Sequence, residues 1–401
     1  MSALPFNECG SAGLCFCHRR LRHWRRREIH LSALILGLVE LLLLNANASA
    51  QTSGMDPARL QAIPLRMQSF VDQGTAAGFV TLLSRHGQVA QLAAVGYQDL
   101  ETKKPMRTDT IFQIASMTKP ITSVGILILV DEGKLALADP VEKHLPEFRG
   151  KPITIHHLLT HTSGMPGGGP ARKPESTLAE MVLAYSQLPL MFTPGSKWSY
   201  SNTGMATLGR IIEVVSKKPY EQFMAERIFR PLTMEDTFYF PPEEKYPRIA
   251  SVYTDDNGKL KRANIDLYKK GIKYPAPEGG LYSTASDLAK FYQMLLSKGN
   301  PVLSKSAVEV MTKVHTGNLT TGFAPGMGYG LGVSVVRNAE GAFRLNSIGA
   351  YGHGGAYRTY GWVDPAKDMF GVILYQRTNG GGDVADEINA FMAMAAAAIT
   401  E

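Results

Sequence analysis

Read along its apolar and polar positions, the chain passes from helix to strand, through a long helical stretch, and back to strand. Met55 to Gln73 predicts a helix, with Asp56 as N-cap, Pro57 at the first helical position and a kink at Pro64. Phe79 to Arg85 and Gln88 to Tyr97 predict two strands joined by a hairpin turn at His86-Gly87. The middle is mostly helical: Thr118 to Glu132, Ile153 to Leu159, Leu178 to Leu188, Thr203 to Val215 and Tyr220 to Ile228. Pro- and Gly-rich loops separate these helices, notably Met165 to Pro174. Two further helices follow, Thr284 to Ser297, where Thr284 and Asp287 match a capping box, and Ser304 to Val314. Strands return at Gly328 to Arg337, Tyr357 to Val363 and Met369 to Gln376, with a hairpin loop at Asp364 to Asp368 and a closing helix from Val384 to Ile399. Strands at both ends with helices between predict an α/β (α+β) fold. One mostly antiparallel sheet would be assembled from both ends and flanked by helices, with an all-α lobe beside it.

Composition narrows this picture. Of the 401 residues, 44% are hydrophobic and 19% charged, a globular balance that excludes a disordered or collagen-like chain. The formal charge of +7 suggests an acidic partner until it is located. The first 50 residues hold six Arg, no Lys and three Glu, so they carry +3 and the other 351 carry only +4. The basic residues are scattered and not interleaved with aromatics, so no nucleic-acid partner is expected. All three cysteines (Cys9, Cys15, Cys17) also fall in the first 50. From Gln51 onward a disulfide framework, a Cys-ligated metal and a cysteine nucleophile are therefore excluded.

The same N-terminal segment has a basic stretch, Arg19 to Arg27, an apolar run of fourteen, Leu31 to Leu44, broken by Glu40, and then Ala48-Ser49-Ala50. This order reads as a secretory signal peptide cleaved near Ala50, which predicts a periplasmic or secreted protein. An uncleaved anchor is the alternative. The run is short for a bilayer, and no later stretch is better, so no stable membrane span is expected. The expected organisation is a signal over 1–50 and a single domain over 51–401, its sheet lobe from about 51–130 and 280–401 and its helical lobe from about 131–279.

Three short motifs carry candidate chemistry. Ser116-Met117-Thr118-Lys119 is the chain's one S-x-x-K, placed just before an apolar helical run. Residues three apart share a helix face, so the Lys119 amine can approach the Ser116 hydroxyl. A desolvated lysine can be neutral enough to take the serine proton, and a helix N-terminus favours a developing anion. Alone, the motif reads equally as a capping serine beside a solvated lysine. Tyr200-Ser201-Asn202 lies in a loop before a helix. A phenol near an ammonium can act as general base and acid, and Asn202 can orient a substrate amide or the lysine. The plain alternative is a packing aromatic and a helix cap. His353-Gly354-Gly355-Ala356 precedes the strand at Tyr357, where glycines let a ligand approach the backbone. The Ala356 and Ser116 amides could then pair as an oxyanion hole, although a simple turn histidine is the alternative.

Other chemistry is poorly supported. The rival His315-Thr316-Gly317 is less well placed to edge a sheet. No G-x-S-x-G, P-loop or dinucleotide fingerprint occurs. His157 and His161 share a helical spacing but lack further ligand motifs, so no metal and no cofactor are expected.

These motifs, in this order, resemble the serine β-lactamase and penicillin-binding-protein superfamily. The context Ile111 to Lys119 is similar to class C β-lactamases and family VIII carboxylesterases, as are His157 to Gly164, Gly279 to Thr284 and Gly352 to Gly355. The resemblance runs from about Asp56 to the C-terminus. It implies Ser116 as the acylated nucleophile, Lys119 and Tyr200 sharing the acid–base work, and Asn202, His353, Gly354 and Gly355 binding substrate. The Ser116 and Ala356 amides would hold the oxyanion. The sequence departs at His353, where β-lactamases and penicillin-binding proteins carry Lys. A histidine, with an ordinary pKa of about 6.5, supplies little positive charge for a substrate carboxylate at neutral pH. Arg358 is a candidate replacement. The expectation is therefore a carboxylesterase acting on a small ester or amide. The alternatives are a β-lactamase or D-amino-acid peptidase of the same fold, and a non-catalytic protein that binds cell-wall peptides.

Overall fold

The computed structural model describes residues 53–263, 265, 271–342, 344–378 and 385–400. The segment read as a signal peptide, with its three cysteines, lies outside the described residues, as does Val384.

Helix α1 (Pro57–Asp72) starts where its capping chemistry requires. The Asp56 carboxylate accepts hydrogen bonds from the Ala58 and Arg59 amides, and Pro57 takes the first position. The helix continues through Pro64 and buries Leu60, Ile63, Met67 and Phe70. Strands β1 (Gly78–Arg85) and β2 (Gln88–Asp99) pair antiparallel around His86-Gly87, which take the positive φ values, 53° and 71°, of a tight hairpin. After β3 (Lys104–Pro105) and β4 (Phe112–Gln113), a single 3-10 turn, Ala115–Met117, leads into α2 (Thr118–Asp131). Helix α2 is buried all round from Thr118 to Leu129, as a helix without a polar face must be.

Of helices α3 (Ile155–Leu159), α4 (Leu178–Ser186), α5 (Asn202–Ser216) and α6 (Tyr220–Met224), α5 and α6 pack against α2, while α3 and α4 pack on α5. The chain beyond α6 widens into a π turn over Ala225–Phe229 where the pattern predicted more α-helix. The hairpin of β5 (Tyr253–Asp256) and β6 (Lys259–Arg262) was not legible in the pattern; β7 (Tyr282–Ser283) pairs with β4. Helix α7 (Ala285–Leu296) is capped by the Thr284 side chain, but not through a capping box. The Asp287 carboxylate accepts instead from the Asp236 amide and Thr237 hydroxyl, at 2.7 and 3.0 Å. Helix α8 (Lys305–Met311) follows.

The C-terminal third supplies β8 (Met327–Tyr329), β9 (Ser334–Val336), β10 (Tyr351–Gly354), β11 (Tyr360–Asp364), β12 (Met369–Leu374), β13 (Arg377–Thr378) and α9 (Asp386–Ala397). The main sheet runs β3-β2-β1-β12-β11-β10-β9-β8 and is antiparallel, so the two ends of the chain meet where Val80 faces Leu374. One face carries α1 and α9, with Phe79, Trp362, Tyr375 and Phe391 buried between. The other packs Leu82, Phe370 and Val372 against Phe291 and Leu295 of α7 and joins the helical core.

Two strand predictions need correction. Gly328 to Arg337 is a hairpin of β8 and β9, not one strand. Its turn is pressed onto α2: Gly332 has φ of 78°, and a Cβ there would lie 1.9 Å from Ser123 Oγ. The strand predicted from Tyr357 begins at Tyr360, and His353 lies inside β10 rather than ahead of a strand. Among the described residues no helix is long and apolar enough to cross a membrane.

Candidate active site

Ser116 occupies the 3-10 turn at the mouth of α2 and is partly exposed. Ala115 before it is held at φ of 46°, a conformation that typically costs a non-glycine residue on the order of 1–3 kcal/mol. The surroundings over-determine that turn. Ile114 donates its amide to Leu281 O at 3.0 Å, and Thr118 Oγ1 donates to Ala115 O at 2.7 Å.

One turn along, Lys119 is fully buried, and its Nζ lies 3.0 Å from Ser116 Oγ and 2.6 Å from the carbonyl of Glu278. Burial draws the Lys119 pKa down to about 7, against an opposing pull from Glu278. In the neutral amine the direction of the bond can reverse, with the Ser116 hydroxyl donating to the nitrogen lone pair. That is the geometry of a serine about to lose its proton to lysine.

Tyr200 closes the other side. Lys119 Nζ lies 4.6 Å from its ring centre. Tyr200 is held among His161, Trp198 and His353, with ring centres 4.7, 6.3 and 6.0 Å away. Ser201, rather than Asn202, caps α5, accepting from the Gly204 amide at 3.0 Å. Asn202 is the first residue of that helix, and its amide donates to Gly167 O at 3.3 Å.

The role of His161 escaped sequence reading. Its Nδ1 accepts the Ser201 amide at 3.2 Å, so the proton sits on Nε2, which is buried and has no hydrogen-bond partner among the described residues. Burial and the Lys119 charge hold its pKa well below the usual value. A neutral imidazole thus fixes the backbone beside Tyr200. Only its place in the segment His157 to Gly164 hinted at this. His157 itself caps α3, its Nδ1 accepting from the Thr154 amide at 3.3 Å.

His353 reaches the site from β10 and is buried. Its Nδ1 donates to Gly354 O at 2.6 Å, which leaves Nε2 as an acceptor. Burial, aided by Lys119, pushes its pKa down to about 3. At neutral pH it therefore supplies no positive charge. Arg358 is buried at φ of 68°, and its charge is felt at Tyr375 in the layer under α1 and α9. The rival His315 is tied to Val310 O at 2.8 Å and to His156 at 3.1 Å.

The turn from β10 to β11 is clamped against Ile114, at the start of the turn that carries Ser116. Thr359 Oγ1 donates to Ile114 O at 2.9 Å, and a Cβ on Gly355 would lie 2.3 Å from the same oxygen. Gly354, Gly355 and the exposed Ala356 are thereby brought to the end of the sheet nearest Ser116. Beside Tyr200 and His353 lies a cavity of about 200 Å³ with aromatic walls from Trp198, Phe323, Tyr329 and Trp362.

Residues 66–394 match the family model described as Beta-lactamase. Esterase EstB of Burkholderia gladioli is 30% identical over 370 residues, covering 80% of this chain and 91% of that esterase. The D-alanyl-D-alanine-carboxypeptidase/endopeptidase AmpH of Escherichia coli is 31% identical over 286 residues, covering 67% and 72%. The structure of EstCE1, a hydrolase with promiscuous acyltransferase activity, shares the fold with a TM-score of 0.76 over 89% of this chain and all of its own, at 24% identity. The chain belongs to the β-lactamase family and is a serine hydrolase of that fold.

Proposed function

We propose that the protein is an exported carboxylesterase that cleaves small esters through an acyl-enzyme on Ser116. The observation that carries this reading is the buried Lys119 amine, 3.0 Å from Ser116 Oγ with its pKa drawn to about 7. As the Ser116 oxygen bonds to the substrate carbonyl carbon, its proton passes to Lys119. The amides of Ser116 and Ala356 receive the oxyanion. The ester C–O bond breaks as Lys119 and Tyr200 return the proton to the departing alkoxide. Water then attacks the acyl-serine, giving the carboxylic acid and restoring the hydroxyl. Asn202, His353, Gly354 and Gly355 line the substrate's path. Neutral esters are favoured over β-lactams because His353 stays uncharged and offers an acceptor, not a cation, to a substrate carboxylate. The aromatic cavity suits a small apolar acyl or alcohol group. Export is supported by the charged, apolar and A-x-A order of the first 50 residues.

The relationship to AmpH favours a D-amino-acid peptidase or β-lactamase as second reading. A fluorophosphonate applied to fractionated cells should label Ser116 in the periplasmic or culture fraction, on a chain beginning near Gln51, and should leave Ser116→Ala unlabelled. Purified protein should turn over a short p-nitrophenyl ester faster than a chromogenic cephalosporin or a D-aminoacyl anilide. Labelling that persists in Ser116→Ala ends the acyl-enzyme reading. A preference of orders of magnitude for either rival substrate ends the esterase one.

A further inference from the structure

Glu278 stands immediately ahead of the Gly279-Gly280-Leu281 segment, and its two ends do different things. Its carbonyl accepts from Lys119 Nζ at 2.6 Å. Its buried carboxylate accepts from Arg172 Nη1 at 2.8 Å and from the Tyr274 hydroxyl at 3.1 Å. Arg172 comes from the Met165 to Pro174 loop, is 45% exposed, and lies 4.7 Å from the Tyr274 ring centre. The loop's flanks are fixed by Gly167 O, which accepts from the Asn202 amide, and Pro174 O, which accepts from the Lys273 amide at 3.0 Å. A surface cation on a loop is thus linked to the Lys119 amine through one residue, Glu278, whose carboxylate meets Arg172 and whose carbonyl meets Lys119.

The consequence is electrostatic. A carboxylate near a buried amine favours the ammonium, and the ammonium cannot accept a proton from serine. How strongly Glu278 holds Lys119 protonated depends on how much of its charge Arg172 compensates. We propose that Glu278 is a positioning residue for the proton transfer at Ser116, and that Arg172, by pairing with its carboxylate, keeps Lys119 able to accept the serine proton. This inference rests on the acyl-enzyme reading above.

Lys119 is faced by Ser116, the Tyr200 ring, His161, His353 and Glu278. The Glu278 carboxylate is faced by Arg172, Tyr274, Tyr185 and Tyr220 as well as Lys119. Burial keeps both histidines neutral and pushes these three tyrosines up. Lys119, drawn to about 7, then changes charge in the neutral to mildly alkaline range. The rate of Ser116 acylation should follow its neutral fraction, rising with pH.

The test measures fluorophosphonate labelling of Ser116, in which its oxygen bonds to phosphorus and fluoride leaves, and ester kcat/KM from about pH 5 to about pH 10. Arg172→Ala should move the acid limb up by about one pH unit, a roughly tenfold loss below the limb and little above it. Arg172→Lys, which keeps the cation, should restore the wild-type profile. Glu278→Gln should move the limb down, and the double variant Arg172→Ala/Glu278→Gln should follow Glu278→Gln, because Arg172 acts only through the carboxylate. If Arg172→Ala and Glu278→Gln lower the rate at every pH without moving the limb, the pair is merely structural and the inference is overturned. A wild-type protein that labels at no pH would instead overturn the acyl-enzyme reading, so the two failures are distinct.

Discussion

Lys119 is a residue that stability alone would not keep. It is fully buried, and its pKa falls from 10.5 to about 7 on folding. Between those values the unfolded chain binds the proton more tightly than the folded one. Stability therefore rises with pH from about 7 towards 10.5, and at neutral pH the lysine works against the fold. On the proposed acyl-enzyme reading its compensation is chemical: an amine near neutrality, 3.0 Å from a hydroxyl, matches the proton it would move. Lys119→Met keeps the length of the side chain and removes the charge. It should abolish ester turnover while raising stability by about 1–4 kcal/mol at neutral pH, read from urea denaturation. A destabilised Lys119→Met protein would mean that the amine holds the fold together through Ser116 and Glu278. This residue was legible in the sequence because the three-residue spacing from Ser116 needs only helix geometry. Glu278 and His161 were not legible, because one acts through its own carbonyl and the other through the backbone of Ser201, contacts across 159 and 40 residues.

The turn between β10 and β11 shows how one element can position another. Thr359 and Gly355 both abut Ile114 O, so the end of β10 is locked to the turn that carries Ser116. A methyl group on Gly355 would meet that oxygen at 2.3 Å and Thr359 Oγ1 at 2.2 Å, and something must move. Most of the sheet continues without it, since β11 and β12 pair independently. Gly355→Ala should therefore cut ester kcat/KM by about 10²-fold through a misplaced oxyanion donor, with the thermal midpoint shifted by only a few degrees. Unchanged kinetics would detach this turn from the chemistry. The elements legible in the sequence are those specified locally: Asp56-Pro57 starts α1, and His86-Gly87 turns β1 into β2. Strand β10, Tyr351-Gly352-His353-Gly354, escaped because its two glycines erase the alternating pattern. The break between β8 and β9 escaped because it is imposed from outside, by Gly332 against Ser123 of α2.

At the scale of the whole molecule, the sheet closes the two ends of the chain on each other and leaves the site where the sheet meets the helices. The antiparallel sheet built from both ends was legible from strands flanking a helical middle, whereas the depth of burial at the junction was not. That burial gives the protein a pH response beyond catalysis. His353, His161 and His156 are all held neutral by desolvation, His353 down to about 3 and His156 to about 4. Each of these pKa values is depressed in the folded state, so below the ordinary histidine value of 6.5 the unfolded chain takes up protons that the folded chain refuses. Stability should fall as pH drops from about 6.5 towards 4, by roughly 1.4 kcal/mol per pH unit for each histidine still neutral in the fold. Carboxylates act lower down. Asp99 and Asp139 are lowered from 3.8 to about 2, net of desolvation, by their hydrogen bonds and nearby cations, so their contribution is lost only below about pH 4. The two windows can be separated by urea midpoints at pH 7, 6, 5 and 4. His156→Gln, which lies away from Ser116 beside His315, should flatten the slope by about one proton's worth and leave ester turnover in place. A midpoint that does not change between pH 7 and pH 5 would mean that the histidines are already hydrated in the folded state, and the neutral His353 on which the proposed preference for uncharged esters rests would lose its basis.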